Sequence, residues 1–271
     1  MEQHLAKRSD RLATILKGYG TLAVAFSGGV DSTLLLDVAH EALGPACLAV
    51  TARSASFPER ERAAAAAFCR ERGIEQIEIE SEELDIEGFS HNPPNRCYLC
   101  KKELFSKMLA LAHTRGIATI AEGSNLDDED DYRPGLVAIT ELGIKSPLRE
   151  AGLTKADVRA LAQARALAVW DKPSFACLAS RLPYGAQIDR DVLARIDQAE
   201  TFLLETGLRQ VRVRVHGDIA RIETDAEGMD RLAEPQVRAA VVERLQTLGF
   251  PYVTLDLRGY RTGSMSLTLP R

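Results

Sequence analysis

No run of apolar residues in the 271-residue chain approaches the about 18 that a helical membrane span requires, so none is expected. The first residues, Met1-Glu-Gln-His-Leu-Ala-Lys-Arg, are polar and amphipathic and lack the apolar stretch of a secretory leader. A cytoplasmic protein with no membrane partner is therefore expected. A surplus of basic residues is missing too, since the formal net charge is −5. That charge gives no reason to expect a dominant nucleic-acid surface, although it does not exclude a local basic groove. Internal repeats are absent, and only the Ala63–Ala67 run is of low complexity. Cysteines number five. Without a leader they point to reduced thiols, metal ligation or catalysis rather than disulfides.

The apolar content of 45% is ordinary for a globular protein with a real core, and the length suits one large domain or two moderate ones. Up to about residue 121, strand-like and helix-like segments alternate. Helical patterns fall over residues 3–17, 33–43, 59–72 and 99–115. Apolar strands fall over 21–26, 46–51, 74–79 and 117–121. That alternation predicts a parallel sheet with right-handed crossovers and ligands at the C-terminal strand edge. A further helix is expected over 153–167, with Thr154 and Asp157 as its capping pair. From about Asp189 the pattern changes to a helix ending at Glu205, two alternating strands (210–215 and 219–224), a helix over 234–248 and a last strand over 252–257. The expected organisation is a Rossmann-like parallel sheet flanked by helices over residues 1–187, followed by a small α+β domain over 188–271.

The stretch Ala25-Phe-Ser-Gly-Gly-Val-Asp-Ser32 joins the first strand to the next helix. It is neither GxxxxGK[ST] nor GxGxxG. A glycine turn at a helix N-terminus aims several backbone N–H groups and the positive end of the helix dipole at one point, which suits a phosphate. Gly28 and Gly29 allow close backbone approach, and Ser27 and Ser32 add hydroxyls. Asp31 is the odd member, because a carboxylate repels phosphate. It makes sense if it holds Mg²⁺ or caps the helix. The pattern SGGxDS after a strand resembles the pyrophosphate loop of the N-type ATP pyrophosphatases. That resemblance implies cleavage of ATP to AMP and pyrophosphate while a substrate oxygen is adenylated.

Asn95-Arg-Cys97-Tyr-Leu-Cys100-Lys101 carries a CxxC at a helix start, and Cys177 lies far off in Lys172-Pro-Ser-Phe-Ala-Cys-Leu-Ala-Ser-Arg181. A CxxC by itself fits a redox pair, half a zinc site or part of an iron–sulfur site. No second CxxC and no HxxxH occur, so a four-ligand structural zinc site lacks ligands. Three thiolates on a [4Fe–4S] cube leave one iron open for a substrate or a sulfide. Cys47 and Cys69 fall in a strand and a helix and read as buried, inert thiols.

SGGVDS, NPPNRCYLCK, EGSNLDDEDDYRPG, the central SPL, KPSFACLASRLPYG and VRVRVHGDIARIE together resemble the LarE family, over nearly the whole chain. LarE proteins are pyridinium sulfur transferases of nickel-pincer cofactor biosynthesis. The resemblance implies an adenine nucleotide alpha hydrolase-like fold and ATP-driven adenylation of the carboxylates of pyridinium-3,5-biscarboxylic acid mononucleotide. Sulfur then displaces AMP. In one version of the chemistry Cys177 surrenders its own sulfur and becomes dehydroalanine. In the other, Cys97, Cys100 and Cys177 hold a [4Fe–4S] cluster that carries a sulfide. The presence of all three favours the cluster, although Cys177 is expected in both. Ser27, Gly28, Gly29, Asp31 and Ser32 match the pyrophosphate loop. Arg53 and Asn125 lie where such folds hold the nucleotide, and Asp127 and Asp128 are candidates for Mg²⁺, while Glu129 to Asp131 read as a solvated acidic loop. Arg181, Arg212 and Arg214 are expected anchors for substrate phosphate and carboxylates. Arg212 and Arg214 share one strand face, which without the family would read as an exposed face. Glu223 is a candidate polar contact nearby, and His216 reads as a turn residue. A homo-oligomer is also implied, with a hexamer as the candidate.

Two other enzyme classes compete. A tRNA thiolase also pairs a pyrophosphate loop with three cysteines, but the charge is acidic and no RNA-binding module is visible. An amidotransferase-type synthetase such as NAD synthetase needs no cysteine trio. A non-enzymatic ATP-binding module would form no AMP.

Overall fold

A computed structural model of the chain describes residues 3–130, 134–261 and 263–265. The chain forms two compact units: Met1–Ser54, Glu59–Glu83 and Asn95–Ser174 make the first, and Ala55–Pro58, Leu84–Pro94 and Phe175–Arg271 the second. The division falls at Ser174/Phe175 rather than after residue 187. The reason lies in hydrogen bonds to short segments far upstream. Leu178 N–H donates to Ser56 O (2.8 Å), Ile188 N–H to Ser90 O (2.7 Å), and Asn92 Nδ2 to Pro183 O (2.6 Å).

In the first unit the strands are β1 (Leu22–Ala25), β2 (Cys47–Arg53), β3 (Gln76–Glu80) and β4 (Thr119–Ala121). They form one all-parallel sheet in the order β3-β2-β1-β4. β1 is central, and its Leu-Ala-Val run is buried, as expected for a strand covered on both faces. A lone parallel bridge from Ala121 to Lys145 extends the β4 edge. Each strand is followed by a helix: α1 (Gln3–Lys17) precedes β1, and α2 (Val30–Leu43), α3 (Glu59–Arg72) and α4 (Arg96–Arg115) lead on to β2, β3 and β4. Then come α5 (Pro134–Glu141), α6 (Pro147–Glu150) and α7 (Lys155–Ala164). One face is sealed by Leu12, Leu16, Leu34, Leu35, Val158 and Leu161, and the other by Phe105, Met108, Ala112 and Ile139. Each fully buried side chain of this size contributes about 1.5–3 kcal/mol. The Rossmann-like reading therefore holds.

Segments α5, α6 and α9 (Ala226–Ala233) are not evident from periodicity. α5 opens on Pro-Gly, which reads as a turn, and α6 is one turn long. α9 contains Gly228, whose added Cβ would lie 2.0 Å from Thr224 Oγ1, so only glycine fits there. The α7 capping box is as expected: Thr154 Oγ1 accepts from Asp157 N–H, and Asp157 accepts from Thr154 N–H.

The second unit holds α8 (Arg190–Glu205), β5 (Val211–His216), β6 (Ile219–Thr224), α9, α10 (Pro235–Thr247) and β7 (Tyr252–Leu255). β5 and β6 are antiparallel, and β7 joins β6 in parallel. Its buried core includes Ile196, Leu203, Val213, Ile222, Leu245 and Phe250.

Candidate functional site

In the first unit, helix α2 begins at Val30, so Asp31 and Ser32 lie inside its first turn. Gly29 is the N-cap, and no side chain caps this end among the described residues. Asp31 therefore does not cap the helix, which corrects one of its two expected roles. Its Oδ1 accepts from Asn125 Nδ2 (3.0 Å), and its Oδ2 is paired with Lys155 Nζ. The turn is shaped by hydroxyls: Ser32 Oγ donates to Gly29 O (3.1 Å) and accepts from Ser27 N–H (3.3 Å). Gly28 adopts φ +68°, in the left-handed region that glycine enters without penalty. Thr51 anchors the turn's root, donating from Oγ1 to Phe26 O (3.0 Å). An uncapped first turn gathers the N–H groups and the positive end of the α2 dipole, the arrangement that accepts an anion.

The loop after β4 closes on this turn. A Cβ on Gly123 would lie 2.9 Å from Ser32 N, so glycine is required for the approach. Asn125 Oδ1 accepts from Asp127 N–H (3.0 Å), and Asp127 Oδ2 accepts from Lys155 N–H (2.9 Å). Asp128 Oδ2 accepts from Asn125 N–H (3.0 Å). Asp127 and Asp128 are thus engaged with backbone of their own loop and of α7. Asp131 lies outside the described residues. Arg53 ends β2 with an exposed side chain paired to Glu80 (3.1 Å) across the sheet register. Two lysines absent from the sequence reading stand at the turn: Lys155, and Lys172, whose Nζ donates to Gly28 O (3.2 Å) and Glu61 Oε2 (2.6 Å). Lys155 lies in no motif and Lys172 only opens the KPSFACLASRLPYG stretch, and neither role is legible there because their partners lie more than 100 residues away.

Cys97 and Cys100 sit in the first turn of α4, three residues apart and therefore on one face, both half-buried. Among the described residues no three Cys, His, Asp or Glu gather as a metal site. Cys97 and Cys100 belong to the first unit and Cys177 to the second. The donor chemistry fits an iron–sulfur cluster: two thiols on one helix turn plus a third half-buried thiol. Cys47 and Cys69 are buried, and burial pushes their thiols up to about 12 and about 11, which suits inert core residues.

In the second unit Cys177 precedes a short 3₁₀ turn, Leu178–Arg181. Arg181 is wholly buried. Its Nε and Nη2 donate to the two oxygens of Glu200 on α8 (both 2.8 Å), and its Nη1 donates to Cys177 O (3.0 Å). Burial pulls this guanidinium down, but the Glu200 charge and its hydrogen bonds, with smaller help from neighbouring groups, together hold it above its ordinary value. Burial pushes Glu200 up, and the charge and hydrogen bonds of Arg181, the Arg212 charge and the Val213 N–H together more than offset it. Arg181 thus grips the Cys177 backbone. Arg212 and Arg214 share a face of β5, and that face is buried rather than exposed. Arg214 Nε donates to Glu223 Oε2 (3.0 Å), and its Nη1 donates to Ser180 O (3.0 Å). Glu223 also accepts from Ser264 Oγ (2.8 Å) and pairs with Arg221 (3.2 Å). Arg212 lies over the Tyr260 ring at 5.2 Å. Burial, then the Arg181 charge, drags it down to about 10. His216 is the last residue of β5, paired with Ile219, so the turn is Gly217-Asp218 rather than His216 itself.

An all-parallel sheet of order β3-β2-β1-β4, with an uncapped glycine turn after its central strand, defines a Rossmann-like α/β protein that presents an anion-accepting loop. No family model matches the chain. It is 40% identical over 269 residues to the pyridinium-3,5-bisthiocarboxylic acid mononucleotide synthase of Lactiplantibacillus plantarum, covering 98% of this chain and 96% of the relative. The chain belongs to that family, the LarE family, and is an enzyme. An uncharacterized protein of Synechocystis sp. is 40% identical over 97% of the chain, and one of Methanocaldococcus jannaschii is 27% identical over 89%.

Proposed function

We propose that this enzyme is an ATP-dependent sulfur transferase acting on pyridinium-3,5-biscarboxylic acid mononucleotide. The observation that carries the reading is the end-to-end similarity to the named synthase. The uncapped helix start at the 27–32 turn supports it, because a triphosphate needs clustered backbone donors and a helix N-terminus supplies them, with Ser27, Gly28, Gly29 and Ser32 shaping the turn. A substrate carboxylate oxygen attacks the α-phosphorus of ATP, pyrophosphate leaves, and an acyl-adenylate forms. Asp31, with Asn125 orienting it, is the carboxylate for Mg²⁺. Arg53 and Asn125 are assigned to the nucleotide, and Arg212 and Arg214 to the substrate's phosphate and carboxylate.

Sulfur then displaces AMP. If Cys177 supplies it, the thiolate attacks the acyl carbon and AMP departs. Loss of the Cys177 α-proton then breaks its Cβ–S bond, leaving a thiocarboxylate and dehydroalanine. Cys97, Cys100 and Cys177 are the residues that would hold a [4Fe–4S] cluster, which when bound supplies a sulfide at its open iron. Arg181 fixes the Cys177 backbone for either role. A homo-oligomer is part of the proposal, to be checked by light scattering.

Incubation with ATP and the pyridinium mononucleotide should give AMP, pyrophosphate and a product in which oxygen is exchanged for sulfur. Absence of AMP with that substrate, or tight salt-sensitive binding of tRNA, overturns the reading. Intact mass after one turnover separates the sulfur sources: loss of H₂S at Cys177 means sacrifice, and an unchanged chain means cluster-borne sulfide.

A further inference from the structure

We propose that Lys172 is a phosphate-binding residue of the 27–32 turn, the side-chain cation that meets the pyrophosphate end of ATP. This rests on the reading that the turn splits ATP. A pyrophosphate leaving group carries several negative charges. The turn itself offers partial positive charge from N–H groups, plus one full negative charge at Asp31 and a carbonyl acceptor at Gly28 O that Lys172 already meets. Lys155 is committed to Asp31. Lys172 approaches from the other end, with Nζ at 3.2 Å from Gly28 O and 2.6 Å from Glu61 Oε2. An ammonium has three donors, so two are engaged and one remains to be directed at a ligand.

The geometry is prepared before any ligand arrives. Arg159 on α7 donates from Nη2 to Lys172 O (2.8 Å) and from Nη1 to Trp170 O (2.7 Å), fixing the backbone that carries the lysine. Glu61, on α3, is nearly buried and holds the ammonium at the turn. A preset cation where charge develops on a leaving group stabilises that charge without reorganisation. The same segment leads to Cys177: five residues of chain separate the two positions and span at most roughly 18 Å. The residue that meets pyrophosphate and the residue offered as sulfur donor are therefore covalently tied within that length.

The test is calorimetric binding of Mg·ATP, AMP and Mg·pyrophosphate to the full chain, comparing wild type with Lys172→Ala, Lys172→Arg and Glu61→Gln. Loss of one charge-assisted contact should weaken ATP and pyrophosphate by about 10- to 100-fold. AMP should change by less than about 2-fold, because the contact is to the departing phosphates. Lys172→Arg should restore part of the affinity. Glu61→Gln should keep ATP binding, since the lysine is retained. Equal losses for ATP and AMP, no loss at all, or a Glu61→Gln variant that mimics Lys172→Ala overturns the assignment. Wild type that binds AMP but neither ATP nor pyrophosphate also overturns it. Wild type that binds none of the three overturns the ATP reading, and the assignment falls with it.

Discussion

The turn at 27–32 and the arginine cluster around Cys177 are built from opposite materials. The turn in the first unit is backbone: N–H groups, a helix dipole and two glycines, trimmed by serine hydroxyls a few residues apart. The cluster in the second unit is side chains: Arg181, Arg212 and Arg214 set against Glu200 and Glu223, with partners 9 to 34 residues apart in sequence. A backbone site tolerates many changes but fails where a Cβ intrudes. A buried charge network is indifferent to small steric changes but fails when one partner goes.

The largest effect is expected at the Arg181–Glu200 fork. Arg181→Met strands a fully buried carboxylate and should cost about 3–5 kcal/mol in urea unfolding. Adding Glu200→Leu should recover most of that loss, because no charge is then left unpaired. The pH dependence checks the cause. Glu200 is held below the usual carboxylate range, so its contribution is present above the unfolded value and is lost as pH falls through the folded one. In Arg181→Met burial is opposed only by the Arg212 charge and the Val213 N–H, the Glu200 value rises, and mild acidification should stabilise that variant relative to wild type. A single variant with unchanged stability would mean that the fork is ornamental.

Next come the glycines of the turn. Gly28→Ala keeps ordinary contacts, 3.4 Å to Ala65 Cβ, so its cost of about 1–2 kcal/mol is purely the positive φ. Gly123→Ala instead drives a Cβ to 2.9 Å from Ser32 N and should cost about 1–3 kcal/mol while weakening nucleotide binding. Full ATP affinity in Gly123→Ala, by the same calorimetry, would separate the loop after β4 from the phosphate site. At the edge of the site, Thr154→Ala removes the α7 cap and should cost about 1 kcal/mol in thermal or urea unfolding.

This difference in construction also explains what the sequence disclosed. The parallel sheet, the turn and the Thr154–Asp157 cap are local patterns, and each is where periodicity and spacing place it. Gly123 was legible only as part of a polar loop, because its reason for being glycine is Ser32, 91 residues earlier in the numbering. Lys155 carries no motif, and Lys172 opens the motif around Cys177 with nothing local to say that it meets Gly28 and Glu61. Arg181 reads as a substrate anchor because a guanidinium fork suits phosphate and carboxylate. Its partner Glu200 sits in an ordinary amphipathic helix, and nothing local says that the two meet. The boundary at residue 175 was hidden for the same reason: its hydrogen bonds run to Ser56, Ser90 and Asn92.

The smallest predicted effect is at Arg212, and it tests whether the cluster is a closed structural network or one with charge to spare. Burial and the Arg181 charge lower Arg212 to about 10, so its positive charge is disfavoured in the folded chain. At neutral pH it is charged in both states, and the penalty is present in full. Between that folded value and the higher unfolded one, the native chain releases a proton that the unfolded chain keeps, so stability rises with pH there. Arg212→Met should therefore change stability at neutral pH by less than about 1 kcal/mol, and with either sign, unlike Arg181→Met. The difference between wild type and Arg212→Met should shift in favour of wild type above about pH 10, measured as paired unfolding curves so that other titrations cancel. Inorganic phosphate should raise the melting temperature of wild type more than that of Arg212→Met, because an anion relieves the repulsion that burial imposes. If Arg212→Met instead loses as much stability as Arg181→Met, Arg212 is a structural partner and the phosphate of the substrate must be held elsewhere.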